Sequence, residues 1–148
     1  LSQLRERGNK AHRDGDYAAA EEHYSAALKL DPKNAPLLLN RAAARLMLES
    51  YEAAFEDCQR ALQLQPESSK AYARGARCKQ LLGDIAGAEA LLGQGLARPG
   101  LGQGDRDDLD NQRRSMLHAL RVRAEIERCL AADLQGVTEG RRALRLLD

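Results

Sequence analysis

The chain has 148 residues, enough for one compact domain or a short repeat array, and its 43% hydrophobic and 30% charged content suits a chain that folds in water. Aromatics make up only 3% and Trp is absent, so a core has to be built from Ala and Leu, both strong helix formers. The formal net charge of +1 leaves no global field that would direct the chain to nucleic acid or to a membrane surface.

In chain order the pattern predicts helices over 2–14, 18–30, 34–48, 52–64, 68–82 and 86–97. Gly15-Asp16 and Gly83-Asp84 break the members of a pair, and Asp31-Pro32 and Gln65-Pro66 stop the second helix, because the residue before Pro avoids the helical region. Arg98 to Asp108 reads as a Gly-rich, charged loop (99–108 as a segment), with Asp105, Asp107 and Asp108 as caps for the next helix. A longer amphipathic helix is expected over 109–132 and another over 134–147.

The same residues recur with a fixed period. Pro32 and Pro66 are 34 apart, as are Ala20, Ala54 and Ala88 in turn. Gly8, Ala42 and Ala76 keep the first helix of each unit small where the second must approach, and Ala27, Ala61 and Gly95 lie seven residues beyond the alanines, on the same face. The chain resembles the tetratricopeptide repeat family, which has this period and these small-residue and proline positions. That implies an all-α, right-handed α-solenoid of stacked antiparallel helix hairpins, with three repeats over 1–98 (about 1–34, 35–68 and 69–98). Residues 109–148 would then be a degenerate fourth hairpin or the start of further repeats.

Within each unit, positions 4, 8 and 11 of the first helix face the core, and positions 2, 5, 6 and 9 form a stripe nearly opposite, on the concave side. The stripe carries Arg5, Glu6 and Asn9 in the first repeat, Leu39, Asn40 and Ala43 in the second with Met47 just beyond, and Lys70, Arg74 and Arg77 in the third. Amides and cations thus converge on a groove with one carboxylate, which suits an extended peptide ending in carboxylates.

The segments Arg5-Glu6-Arg7-Gly8-Asn9-Lys10, Asn40-Arg41-Ala42 and Lys70-Ala71-Tyr72-Ala73-Arg74 resemble the two-carboxylate clamp of chaperone-binding tetratricopeptide domains. The resemblance implies that Arg5, Asn9, Asn40, Lys70 and Arg74 hold the C-terminal Glu-Glu-Val-Asp tail of seventy- or ninety-kilodalton heat-shock chaperones. Leu39, Ala43, Met47 and Arg77 are candidates for the groove floor. The family usually has Lys where this chain has Arg5, which keeps the charge with a different fork geometry. The run Asn40 to Leu48 is also similar to J-domain co-chaperones that carry tetratricopeptide arrays, although no J-domain motif is present.

Other signals are weak. His12, His23 and His118 have no metal-ligand spacing with Cys or carboxylates, and no metal or cofactor is expected. Cys58, Cys78 and Cys129 form no C-x-x-C pair, and their odd number suggests a reducing compartment, hence the cytoplasm. Gly100, Gly102 and Gly104 lack the Lys-Ser/Thr and the preceding strand of a phosphate loop. The arginines of the C-terminal part (Arg113, Arg114, Arg121, Arg123, Arg128, Arg141, Arg142 and Arg145) are interspersed with Glu125, Glu127, Asp133 and Glu139 and read as a solvated face. No apolar run approaches the roughly 20 residues of a membrane span. With no nucleophile–base–orienter set, the expectation is a monomeric, non-enzymatic docking module, with neither nucleic acid nor membrane as partner. The alternatives are a scaffold for an unrelated protein or a regulatory segment of an enzyme. A start at Leu1 and an end within a helical pattern suggest a piece of a longer protein.

Overall fold

The computed structural model of the chain describes residues 1–145. They contain seven helices and no strand: α1 (Ser2–Arg13), α2 (Tyr17–Leu30), α3 (Ala35–Met47), α4 (Tyr51–Leu64), α5 (Ser69–Leu81), α6 (Ile85–Leu96) and α7 (Gln103–Arg145). The first six begin and end within one residue of the sequence expectation, because caps and turns are written locally. Asp16 and Asp84 accept hydrogen bonds from the Ala19 and Gly87 N–H groups at 3.0 and 2.8 Å, capping α2 and α6. Asn34 caps α3 from the Leu37 N–H at 3.1 Å. Lys79 and the Gly87 N–H also hold the Asp84 carboxyl below its usual pKa. The turn residue before each second-helix cap is left-handed, with φ of 82° at Gly15, 59° at Glu49 and 83° at Gly83. Glycine takes that conformation freely and Glu49 does so at a cost.

Residues 1–110 form one compact unit and the residues from Asn111 onward a second. In the first unit, α1 packs on α2, α3 on α4 and α5 on α6, while α1, α3 and α5 also pack on one another in turn. Ala20, Ala27, Ala54, Ala61 and Ala88 are fully buried, so the periodic alanines line the shared seam. At Gly8, a Cβ would meet the Tyr24 ring at 2.6 Å. At Gly95, which stands where the first two repeats have Ala, it would meet Tyr72 at 2.9 Å and Leu109 at 3.0 Å. Cys58 and Cys78 are both buried; their mutual hydrogen bond and burial raise the Cys58 pKa, so this thiol stays protonated as a core residue.

An ion network ties the second repeat's first helix to α2 and α4. Arg41 grips the buried Asp57 through both carboxylate oxygens, at 2.7 and 2.9 Å. Arg45 donates to Asp57 at 2.9 Å and to Glu21 at 2.7 Å. The Asp57 hydrogen bonds raise the Arg41 pKa above its ordinary value, outweighing burial.

The C-terminal part differs from expectation. The helix expected from 109 already begins at Gln103, so the loop is shorter than 99–108. Asp105 therefore lies inside the first turn, where it accepts a hydrogen bond from the Ser69 hydroxyl at 2.9 Å rather than capping. Arg106 donates to the Leu96, Arg98 and Leu101 carbonyls at 3.0, 3.3 and 3.3 Å, which satisfies the end of α6. The break expected between 132 and 134 is absent: α7 runs without interruption through Arg145, so the described residues form no fourth hairpin. Ala131-Ala132-Asp133-Leu134 contains neither Gly nor Pro, and a single glycine such as Gly136 costs only about 1 kcal/mol within a helix. The final residues of the second expected helix, 146 and 147, lie outside the described residues. In the second unit Val122, Ile126, Leu130, Leu134 and Val137 are 44–68% exposed. No helix among the described residues is long and apolar enough to cross a membrane.

Candidate functional site

The concave stripe is built by α1, α3 and α5, whose core faces pack against their partners and leave the opposite faces open. A cavity of about 260 Å³ is lined by Asn9, His12, Arg13, Tyr24, Asn40, Ala43 and Arg74. Three of the five expected clamp residues, Asn9, Asn40 and Arg74, thus meet in one concavity, each from a different repeat. Arg5 and Lys70 are exposed and do not line it. Each lies four residues before a lining residue, Asn9 or Arg74, and therefore one turn away on the same helix face.

Hydrogen bonds preset this site. The Tyr24 hydroxyl donates to Asn9 Oδ1 at 2.8 Å, and Asn40 Nδ2 donates to the same oxygen at 3.3 Å. With its oxygen held from two sides, Asn9 keeps its amide NH₂ for an outside acceptor. Arg74 Nη1 donates to the Leu39 carbonyl at 2.7 Å, which orients the guanidinium and leaves its other N–H groups available. Burial lowers the Arg74 pKa from its ordinary value, outweighing the opposing influence of Cys58 and Tyr24. A carboxylate ligand would offset that loss of hydration. Burial raises the Tyr24 pKa, against the pull of Arg13 and Arg74, so the phenol remains a donor.

The candidate floor is partly corrected. Ala43 lines the cavity. Leu39 does not: its side chain is 5% exposed and belongs to the core, and only its carbonyl serves the site, by holding Arg74. Met47 is 56% exposed at the end of α3, and Arg77 is exposed and donates to Gln80 at 3.1 Å; neither lines the cavity.

Sequence reasoning missed Tyr24, His12 and Arg13 as lining residues. Tyr24 reads as core filling, and its ring does fill the space above Gly8, but its hydroxyl reaches the groove. Arg13 follows Asn9 by one turn, a spacing that marks a shared face. His12 Nε2 is buried and has no hydrogen-bond partner among the described residues.

The tetratricopeptide repeat family model matches residues 3–34. The second repeat domain of human RPAP3, solved in complex with the HSP70 peptide SGPTIEEVD, is 33% identical with a TM-score of 0.64, and the match covers 74% of this chain and 91% of that one. The chain is a tetratricopeptide repeat protein. The first repeat domain of Spaghetti (RPAP3), bound to the HSP90 peptide SRMEEVD, is 29% identical with a TM-score of 0.69, covering 80% of this chain and 93% of that one. Mouse DnaJ homolog subfamily C member 7 is 42% identical over 82 residues, which are 53% of this chain and 17% of the relative. The tetratricopeptide chain spans about a fifth or less of the curated relatives it matches here, from 4% to 21% of their length.

Proposed function

We propose that this tetratricopeptide domain docks the free C-terminal end of a partner polypeptide, the Glu-Glu-Val-Asp tail of seventy- or ninety-kilodalton heat-shock chaperones, and works as the docking module of a cytoplasmic co-chaperone. The observation that carries the reading is the meeting of Asn9, Asn40 and Arg74 in one concavity, with Asn9 and Arg74 already oriented by Tyr24, Asn40 and the Leu39 carbonyl. Two solved domains similar to this chain hold peptides ending in EEVD, which supports it. Asn9 and Asn40 donate amide N–H groups to the terminal carboxylates, Arg74 adds a charged fork, and Arg5 and Lys70 supply cations from one turn away. Preset donors reduce the ordering cost of binding. The module acts by binding and not by catalysis, and it does so as a monomer.

Calorimetric titration with free-acid and C-terminally amidated tail peptides tests the proposal. The free acids bind with a micromolar Kd, about 7–9 kcal/mol, and amidation weakens them severalfold. If neither free-acid tail binds at millimolar concentration, the clamp assignment is wrong. A second reading, a repeat scaffold for an unrelated protein, draws on the exposed apolar stripe Val122, Ile126, Leu130, Leu134 and Val137. That reading expects partner capture to survive Arg74→Ala.

A further inference from the structure

Peptide docking leaves two cysteines unused. Cys58 lies on α4 and Cys78 on α5, the packed helices of the second and third repeats, and both free thiols are fully buried. They hydrogen-bond to each other across the seam. The helices approach closely here because Gly75 stands one turn before Cys78: a Cβ at Gly75 would lie 3.6 Å from the Cys58 Cβ. A disulfide needs its two Cβ atoms about 3.5–4.5 Å apart, a separation that such an approach brings within reach. Cys58 takes the register position of Tyr24 and Leu92, and Cys78 that of Ala44, so a small side chain on α4 meets an enlarged one on α5. The two sulfurs are also chemically unequal. The hydrogen bond from Cys58 lowers the Cys78 pKa against the opposing effect of burial, while that bond and burial raise the Cys58 pKa. Cys78 is the more easily ionised sulfur, and Cys58 is the proton donor beside it. The adjoining α6 carries Gly87, Gly93 and Gly95, each a weak helix former, which disposes the α5–α6 hairpin to local opening and gives a small oxidant access to the pair.

We propose that Cys58 and Cys78 are a peroxide-sensitive redox pair whose disulfide staples α4 to α5 across the seam between the second and third repeats. The Cys78 thiolate attacks hydrogen peroxide, its O–O bond breaks, and the released hydroxide takes up a proton to leave as water. The Cys78 sulfenic acid so formed is attacked by the Cys58 sulfur, which gives up its proton. The S–O bond breaks, a second water leaves and the S–S bond forms, so two thiols are oxidised by two electrons and one peroxide is reduced. A low-molecular-weight thiol reverses the step by exchange, as suits a transient disulfide in a reducing compartment. The staple closes a loop of about 20 residues and restricts the unfolded chain. Arg74 lies one turn before Cys78, so the staple also keeps the third-repeat arm of the clamp in place; this consequence alone rests on the clamp reading.

The test treats the reduced 148-residue chain with hydrogen peroxide, then denatures it, alkylates free thiols and maps the digested peptides by mass spectrometry. Cys58 and Cys78 are recovered joined, and dithiothreitol separates them. In the Cys129→Ser chain, which removes the exposed thiol, peroxide raises the unfolding midpoint by about 10 °C. Cys78→Ala and Cys58→Ala each abolish that rise, with circular dichroism verifying that the variants keep their helices. Recovery of both residues alkylated and unlinked overturns the proposal and leaves them as core filling. So does a joined pair whose midpoint rises by less than about 3 °C. If neither alanine variant folds, the map and the midpoint of the Cys129→Ser chain decide alone. The free-acid tail peptide is then titrated just above the midpoint of the reduced chain, where only the oxidised chain binds. A peptide that binds neither form at room temperature counts against the clamp reading and leaves the staple standing on its map and midpoint. One that binds both forms at room temperature but not the oxidised form when warm overturns the effect on Arg74.

Discussion

Asn40 and Arg41 are adjacent on α3 and serve opposite sides of it. Asn40 lines the groove together with Arg74, where among the described residues no carboxylate answers the guanidinium. Arg41 turns the other way, with Arg45, into the Asp57 and Glu21 network. The same helix type, with similar cations, thus presents one face neutralised from within and one left for an outside anion. The difference lies in the second helices: α4 and α2 supply Asp57 and Glu21 behind α3, whereas the second-helix residue that lines the groove cavity, Tyr24, offers a neutral phenol. A cation completed within the fold supports stability, and a cation left incomplete supports binding.

Substitutions should separate the two. The largest effect is expected from Asp57→Ala, which takes the shared carboxylate from two largely buried guanidinium groups, leaving Arg41 without one, and destabilises the fold by about 3–5 kcal/mol. Urea unfolding followed by circular dichroism measures this; a loss below 1 kcal/mol would mean that the network is idle. On the other face, Arg74→Ala should weaken tail-peptide binding by about 1.5–3 kcal/mol, roughly ten- to a hundredfold, with a much smaller change in stability. Equal losses in stability and binding would erase the distinction between the faces.

A sharper version replaces the whole inner network. The triple change Arg41→Met, Arg45→Met, Asp57→Leu should return stability to within about 2 kcal/mol of the original chain, since apolar groups of similar volume substitute well for buried ion pairs. Peptide affinity should hold, and a collapse of binding would show that the inner face positions the outer one. The smallest effect concerns the turn behind both faces. Glu49→Gly should stabilise by about 0.5–1 kcal/mol, because relief of the left-handed backbone exceeds the added chain entropy. Thermal unfolding reads this as a slightly raised midpoint.

Much of the fold is legible in the chain because its signals are local and repeated. Helix starts at Asp16, Asn34 and Asp84, stops at Pro32 and Pro66, and alanines spaced by 34 each encode a short-range preference, and the repetition makes them readable. The three candidate positions that meet in the cavity, Asn9, Asn40 and Arg74, are legible for the same reason, since one repeat unit carries its face assignment to the next. Tyr24 is half legible: its size marks it as core filling, but the reach of its hydroxyl to Asn9 depends on the gap that Gly8 leaves.

Local chemistry along the chain therefore dictates the helical period, the caps, the face that carries amides and cations, and the family to which these belong. Packing of the helices chose which members of that face meet. It turned Leu39 into the core while recruiting its carbonyl to hold Arg74, brought Asp57 between Arg41 and Arg45, and gathered Asn9, Asn40 and Arg74 around one cavity. The folded chain also keeps α7 unbroken through Arg145, where a hairpin was expected. The cause of the division is range. Caps, turns and helical periodicity act over a few residues of chain, and a repeat copies them faithfully. Ion pairing, cavity lining and the burial of an Asp such as Asp57 depend on what packing brings alongside, which no short stretch of sequence contains.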